Sequence, residues 1–181
     1  MAEGTITKQA LAQSLKDLMQ EKPFQKISVS DICERCGMNR KSFYYHYRDK
    51  YDLLNWIFDT EFGAICLHKT YRAEEDFFRD LCEYFYANRA FYRKALAVSG
   101  QNCLSDHFRQ SMTKALEVAL RQKMPGVNLT DFQLGFYSDA IVGSYYRWIM
   151  DRNCMPPEQF IQELQACVYY LVMRYENRDR E

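Results

Sequence analysis

The chain has 181 residues, of which 48% are hydrophobic and 15% aromatic, enough to bury a core in one or two small domains. Its 24 basic and 24 acidic residues cancel, so no overall charge draws the chain toward nucleic acid or a membrane surface, and any electrostatic attraction must be local. No stretch approaches the roughly 18 consecutive apolar residues that a membrane-spanning helix requires, so we expect no membrane partner.

The seven cysteines are odd in number and lie scattered through apolar patterns, and the first residues lack the apolar run and cleavage site of a secretory signal. These features predict a reducing, cytoplasmic location. Cys33 and Cys36 form a CxxC pair, but a structural zinc site needs four ligands and no second pair follows at a suitable spacing. We therefore expect no metal and no cofactor, and we expect the two cysteines to pack as small apolar residues.

Apolar residues recur at three- and four-residue spacings along most of the chain, and only four prolines and seven glycines interrupt them, which predicts an all-α fold. The first helix is predicted to begin at the cap Thr7 and to end before Pro23, whose ring disfavours helix at the preceding residue. The residues that it buries are Leu11, Leu15, Leu18 and Met19.

Two short helices are predicted next. The segment "SVSD", Ser28 to Asp31, has the pattern of a capping box, in which a hydroxyl residue is followed three positions later by an acid. The helix that it opens stops at Gly37, because glycine accommodates the left-handed backbone that ends many helices. Asn39 can cap a third helix, which runs to about Tyr47.

The third helix has two different faces. A rotation of about 100° per residue places Phe43 and Tyr47 on the core side and points Lys41 and Tyr45 away from it. Residues 35–50 carry five basic residues against one acidic residue, so positive charge is concentrated where the tyrosines are. Two helices joined by a short glycine-containing turn, with an outward cationic and aromatic face, form a helix-turn-helix. The simpler interpretation is a solvated face with half-buried tyrosines.

A longer helix is predicted from Asp49 or Lys50 through Phe62, after which the apolar pattern weakens. We therefore predict a domain boundary there, between residues 1–62 and residues 63–181. Helical segments follow at about 75–98, 105–123, 130–152 and 157–176. The last two segments carry more large apolar and aromatic side chains than one small domain needs to cover, which indicates an interface.

No enzyme site is evident, so we predict no catalytic residues. His68 and His107 stand apart from any partner motif, and the chain has no glycine-rich phosphate loop. The aromatic residues of the middle segments fill the core by default, and an apolar ligand pocket is the alternative. These residues are Phe77, Phe78, Tyr84, Phe85, Tyr86, Phe91, Tyr92 and Phe108.

The stretch "ISVSDICERCGMNRKSFYYHYRDKYDLLNWIF" resembles the N-terminal DNA-binding domain of TetR-type transcriptional regulators, over about residues 7–62. In that family a turn glycine, a basic residue, an apolar-tyrosine pair, an aromatic residue and a lysine before an acidic-Leu-Leu run recur at this spacing. Here they are Gly37, Arg40, Phe43, Tyr44, Tyr47, Lys50, Asp52, Leu53 and Leu54. The C-terminal part, through "AIVGSYYRWIMDRNCMPPEQF", is similar to a branch that includes activators of dihydroxyacetone kinase operons.

The resemblance implies a homodimer that binds a near-palindromic site on double-stranded DNA, with its last two helices paired into a four-helix bundle. It also implies an effector site in the C-terminal domain, whose residues the sequence leaves unknown. Carried over by position, the residues that approach base edges are Arg40, Lys41, Tyr44 and Tyr45, and the residues that hold phosphates are Ser28, Ser42, His46 and Lys50.

Elementary chemistry agrees with most of these roles. Arginine and lysine donate to the acceptors of guanine, and a tyrosine ring can lie against a thymine methyl group. Ser28 and Lys50 stand at helix starts, where the helix dipole favours an anion. The effector is either a small molecule or a protein partner. A cavity in the C-terminal domain favours the first, and a filled core with an exposed apolar patch favours the second.

Overall fold

The computed structural model describes residues 2–68, 74–123 and 130–178, with side chains described for residues 4–65, 77–118 and 130–167. These residues form nine α-helices and a 3₁₀ helix at Phe24–Lys26, without a strand, which confirms the all-α prediction. The helices are α1 Ala2–Glu21, α2 Val29–Arg35, α3 Arg40–His46, α4 Lys50–His68, α5 Glu74–Ala87, α6 Arg89–Leu96, α7 Leu104–Lys123, α8 Asp131–Met150 and α9 Pro157–Arg178. None of the described helices is long and apolar enough to cross a bilayer.

The N-terminal part is built on α1, which packs against α2 and α4, while α2 packs against α3. All four residues predicted for the core side of α1 are buried. The helix begins at Ala2, ahead of the predicted start at Thr7. A threonine is a good cap but also tolerates the interior of a helix, so its presence did not mark the first turn.

Helix α4 runs without a break past the predicted boundary at residue 62 and ends at His68. Its buried residues belong to one continuous apolar cluster that includes residues of both parts of the chain. Phe58 shows this directly, because its ring contacts Tyr92 on α6 and Phe108 on α7, with centroid separations of 6.4 and 5.6 Å. Packing therefore continues across this position, and the division into residues 1–62 and 63–181 stays a prediction.

The segment predicted as one helix over 75–98 is two helices, α5 and α6. The break lies at Asn88, whose side-chain amide nitrogen donates to the carbonyl oxygen of Tyr84 at 2.9 Å while its backbone N–H donates to the same oxygen at 3.1 Å. Asparagine side chains compete with the backbone for hydrogen bonds in this way, and the chain turns before α6 begins. Apolar periodicity continues through the break, so it did not indicate the change of direction.

Helices α5 to α9 form the C-terminal part, in which α8 packs against α6 and α7, and α9 against α5. Aromatic rings dominate its interior. Tyr145 of α8 is fully buried and contacts Phe85 of α5, and Trp148 stacks on Phe160 of α9 with centroids 4.4 Å apart. The middle aromatic residues therefore fill the core or pack against it, as the default interpretation predicted.

Candidate nucleic-acid interface

The capping box at the start of α2 is present as predicted. The hydroxyl oxygen of Ser28 accepts a hydrogen bond from the backbone N–H of Asp31, and the backbone N–H of Ser28 donates to the Asp31 carboxylate at 2.7 Å. Lys22, which directly follows α1, lies 3.0 Å from the same carboxylate. The bond from the Ser28 backbone, followed by Lys22 and the Ser28 hydroxyl, lowers the pKa of Asp31 to about 2. α2 is thereby attached to α1.

The turn between α2 and α3 depends on Gly37, whose φ of 68° lies in the left-handed region that side chains disfavour. After this turn the backbone N–H of Met38 donates to the carbonyl oxygen of Cys33 at 2.9 Å, which closes the end of α2. Asn39 then caps α3, because its side-chain oxygen accepts from the backbone N–H of Ser42 at 2.8 Å. These local bonds set α3 at a defined angle to α2.

The two faces of α3 match the helical-wheel prediction. Phe43 and Tyr47 are buried, with 0% and 3% of their surfaces exposed. Tyr45 is 84% exposed and Tyr44 is 50% exposed. The crowding of tyrosines therefore has two causes, since Tyr47 packs into the core while Tyr44 and Tyr45 stand in solvent.

The exposed face of α3 also carries unneutralised positive charge. The guanidinium of Arg40 donates to the phenol oxygen of Tyr44 at 3.4 Å and lies 5.8 Å from the ring centroid, and this hydrogen bond raises the pKa of Arg40. Lys41 is exposed and has no bonding partner among the described residues. Neither cation pairs with an acid in the part of the chain that the structure describes, so both are available to an anionic or hydrogen-bond-accepting partner.

Ser42 and His46 lie at the flanks of this face, and both are half-buried. The hydroxyl of Ser42 donates to the side-chain oxygen of Asn39 at 3.2 Å. The ring of His46 contacts the ring of Tyr45, with centroids 4.9 Å apart. A β-carbon added at Gly4 would lie 3.9 Å from Cε1 of His46, so the start of α1 stands beside the end of α3.

The ammonium group of Lys50, which is predicted to hold a phosphate, bonds within the protein, and the phosphate role stays a prediction. Its ammonium group donates to three backbone carbonyl oxygens at the 3₁₀ turn: Phe24 at 2.9 Å, Gln25 at 3.2 Å and Ile27 at 2.7 Å. An ammonium group has three donors, so these bonds use all of them. Partial burial also lowers the pKa of Lys50. Lys50 therefore joins the start of α4 to the turn before α2.

Ser28 likewise bonds within the protein, and its phosphate role also stays a prediction. Its hydroxyl donates to the carboxylate of Asp31 at 2.9 Å, and its backbone N–H donates to the same group. Both donors are taken, and a phosphate at this helix start would meet the negative charge of Asp31. The capping box is visible in the sequence, and a capping box of this kind already occupies both donors of its first residue.

Two exposed cations near α3 were not assigned by the sequence analysis. Lys26 lies on the 3₁₀ turn that Lys50 holds, and its side chain has no bonding partner among the residues described. The side chain of Arg48 is 84% exposed and lies 3.5 Å from Asp52. The local excess of positive charge over residues 35–50 includes Arg48, but charge alone did not indicate which cations remain free.

Aromatic rings pack against one another in the interior of the C-terminal part. The phenol oxygen of Tyr145 lies 3.2 Å from the sulfur of Cys82, and burial raises the pKa of that thiol to about 11. The described grooves lie at the surface instead. A polar cleft of about 400 Å³ lies at the surface between α4 and the start of α7. An apolar groove of about 280 Å³ lies between α8 and α9.

Two known families match this chain. The family described as bacterial regulatory proteins, tetR family, matches residues 13–57, and a transcriptional regulator C-terminal region matches residues 74–170. A curated relative, the HTH-type dhaKLM operon transcriptional activator DhaS of Lactococcus lactis subsp. lactis (strain IL1403), is 31% identical over 99 residues. That alignment covers 54% of this chain and 53% of the relative, so the chain matches about half the length of DhaS.

Solved structures have the same fold. A dihydroxyacetone kinase operon activator DhaS aligns with a TM-score of 0.69 and 23% identity over 93% of this chain and 97% of its own. A TetR transcriptional regulator from Streptococcus agalactiae 2603V aligns with a TM-score of 0.70 and 22% identity over 95% of both chains. NalD of Pseudomonas aeruginosa, the secondary repressor of the MexAB-OprM multidrug efflux pump, aligns with a TM-score of 0.62 and 17% identity. This alignment covers 92% of this chain and 96% of NalD.

Proposed function

Because this chain belongs to the TetR family of bacterial transcriptional regulators, we propose that it binds a near-palindromic operator as a homodimer under the control of an effector at its C-terminal domain. The observation that carries this proposal is the outward face of α3, where Arg40 and Lys41 lie beside two exposed tyrosines without an acidic partner among the described residues. Such a face suits the major groove of DNA, whose base edges present acceptors and methyl groups. We also propose a cytoplasmic location, which a DNA target supports.

The roles on this face follow from the exposure of each side chain. Arg40, Lys41, Tyr44 and Tyr45 read base edges, since they point away from the core. Ser42 and His46 lie at the flanks and contact phosphates. Ser28 and Lys50 act within the protein, where they hold α2 and the 3₁₀ turn so that α3 is presented at a fixed angle.

The homodimer forms through the outer faces of α8 and α9. Phe132 and Phe136 of α8 are 81% and 57% exposed, which is costly for phenylalanine unless a partner covers the rings. An apolar groove lies between the two helices. Its lining residues include Ser144 on α8 and Leu164 and Cys167 on α9. A two-fold axis beside this surface would bury the same patch on both subunits.

Selection from a random DNA duplex pool tests the DNA target. We expect the full chain to enrich inverted repeats whose half-sites bind much more weakly alone, because a two-fold dimer presents two identical α3 helices. Recovery of asymmetric sites only, or of none, would contradict the proposal.

Sedimentation tests the dimer surface. We expect Phe136→Asp to dissociate the dimer at micromolar concentration, because a carboxylate would be buried in an apolar interface. Val118→Asp is the matched control, since Val118 is also 57% exposed but lies on α7. If Val118→Asp dissociates the dimer and Phe136→Asp does not, the interface lies on another face.

A protein partner is the effector class that we favour over a small molecule. The rings of Phe85, Tyr145, Trp148 and Phe160 contact one another in the interior of the C-terminal domain, where a small apolar effector would otherwise bind. A protein effector instead needs an exposed surface. One relative is named as an operon activator, so activation of a target operon is the first effect on transcription to test.

Linkage provides the test of any effector. An effector can change operator affinity only if it prefers one of two dimer conformations, and operator DNA must then change effector affinity by the same factor. Titration of a purified candidate protein, with and without operator, measures both factors. Equal affinities in the two titrations would exclude that candidate.

A further inference from the structure

A single carboxylate joins four helices at the junction between the two parts of the chain. Glu61, near the end of α4, forms an ion pair with Lys16 of α1 and accepts a hydrogen bond from the phenol of Tyr84 on α5. The phenol of Tyr92 on α6 donates to the same carboxylate oxygen as Tyr84, at 3.0 Å. Tyr84 and Tyr92 also lie within hydrogen-bond distance of each other, with their oxygens 2.7 Å apart. We call these four side chains the Glu61 junction.

The Glu61 junction is partly shielded from water. Tyr92 is fully buried, and the side chains of Lys16 and Glu61 are only 22% and 26% exposed. Burial raises the pKa of Tyr84 and Tyr92 above the ordinary value, so both phenols stay protonated and act as donors. Hydrogen bonds to a charged group are stronger than neutral ones, and a buried charge that loses its partners is costly.

A second contact joins α6 to α1 nearby. The ammonium group of Lys94 donates to the carbonyl oxygens of Met19 and Gln20, at 2.8 and 3.1 Å, near the end of α1. Lys16 also lies 5.1 Å from the ring centroid of Phe91 on α6. Helix α6 is thus attached both to α4 and to α1, and α5 is attached to α4. Helix α1 in turn packs against α2, which packs against α3.

We propose that the Glu61 junction couples α5 and α6 to α4, so that a movement of the regulatory helices changes the position of the recognition helix α3. If α5 or α6 moves, the partly buried carboxylate of Glu61 must either follow its tyrosines, which shifts α4, or lose its hydrogen bonds to them. Because loss of hydrogen bonds to a charged group is costly, we expect α4 to move with α5 and α6. This inference rests on the proposed function, since the movement matters only if α3 binds DNA.

Hydrogen exchange of the full-length protein tests the coupling in the opposite direction, from DNA to α5 and α6. It is measured with and without an operator duplex selected from the random pool. We expect operator to slow amide exchange in α3 by direct contact. We also expect it to slow exchange in α5 and α6, which do not touch DNA, by a factor of about five or more, the lower end of typical coupling between sites. In Tyr92→Phe and in Glu61→Gln the response of α3 should persist, while the response of α5 and α6 should be lost.

Tyr86→Phe is the matched control. Tyr86 lies on α5 beside Tyr84, and its hydroxyl makes no hydrogen bond among the described residues, so this variant should respond like the wild type. A purely structural role for the junction would lower thermal stability but leave the operator response of α5 and α6 in place. That result, or a wild type in which only α3 responds, overturns the coupling. A wild type in which α3 does not respond overturns the proposed function as well.

Discussion

The ammonium nitrogen of Lys50 lies 2.7 Å from the carbonyl oxygen of Ile27, so the first residue of α4 holds the turn that leads into α2. Helix α3 lies between these elements along the chain, and its angle depends on both. The same side chain lies 4.6 Å from the ring centroid of Phe24, which is buried. A cation expected to hold DNA is therefore part of the framework that positions α3, the helix proposed to read DNA.

Lys50→Met should lower the free energy of unfolding by about 1–3 kcal/mol, because three carbonyl groups lose a charged donor. Urea unfolding measures this loss. Lys26→Met is the control, since Lys26 lies on the same turn without a partner among the described residues. If Lys50→Met is as stable as the wild type and lowers the salt dependence of operator binding by about one unit of slope, Lys50 contacts a phosphate after all.

Lys41→Ala should relax base preference at one position of each half-site and lower discrimination there by about 1–3 kcal/mol, because a donor to base edges is removed. Binding measured against a panel of single-base operator variants checks this. Lys114→Ala removes an exposed lysine of α7 and should leave the preference unchanged. A uniform loss across the panel would instead assign Lys41 to a phosphate.

Asp31 should contribute stability that is lost in acid. Its folded pKa of about 2 lies below an ordinary value near 3.8, so the contribution is present above that ordinary value and is lost as the pH falls from about 4 toward 2. Urea unfolding at a series of pH values should show a shallower acid loss in Asp31→Asn than in the wild type. Glu34→Gln, on the exposed side of the same helix, should keep the wild-type profile. Identical profiles for Asp31→Asn and the wild type would contradict the prediction.

Phe85→Ala should lower the free energy of unfolding by about 3–5 kcal/mol, because a fully buried ring is removed from a filled core. The cavity that remains should bind a small apolar probe such as benzene, which NMR titration detects. Val118→Ala, at an exposed position, should change stability little and create no binding site. Binding of benzene inside the wild-type protein would contradict the filled core and favour a small-molecule effector.

Local rules were sufficient for much of the DNA-binding part. The bonds of the capping box join Ser28 to Asp31, and Asn39 caps a helix that starts at the next residue, so each involves residues at most three positions apart. The burial of Phe43 and exposure of Tyr45 follow from the helical period alone. The resemblance to TetR-type regulators uses this same short stretch, which is why the fold and the exposed face of α3 could be predicted together.

The roles of Lys50 and Glu61 were decided only by the tertiary structure. Lys50 bonds to residues 23 to 26 positions away, and Glu61 meets Tyr84 and Tyr92 at separations of 23 and 31 residues. A lysine at a helix start looks the same in sequence whether its donors face a phosphate or a nearby carbonyl group. Periodicity specifies which side of a helix is buried. The partner of a charged side chain depends instead on how the helices pack, because a hydrogen bond requires the two groups to lie within about 3 Å of each other.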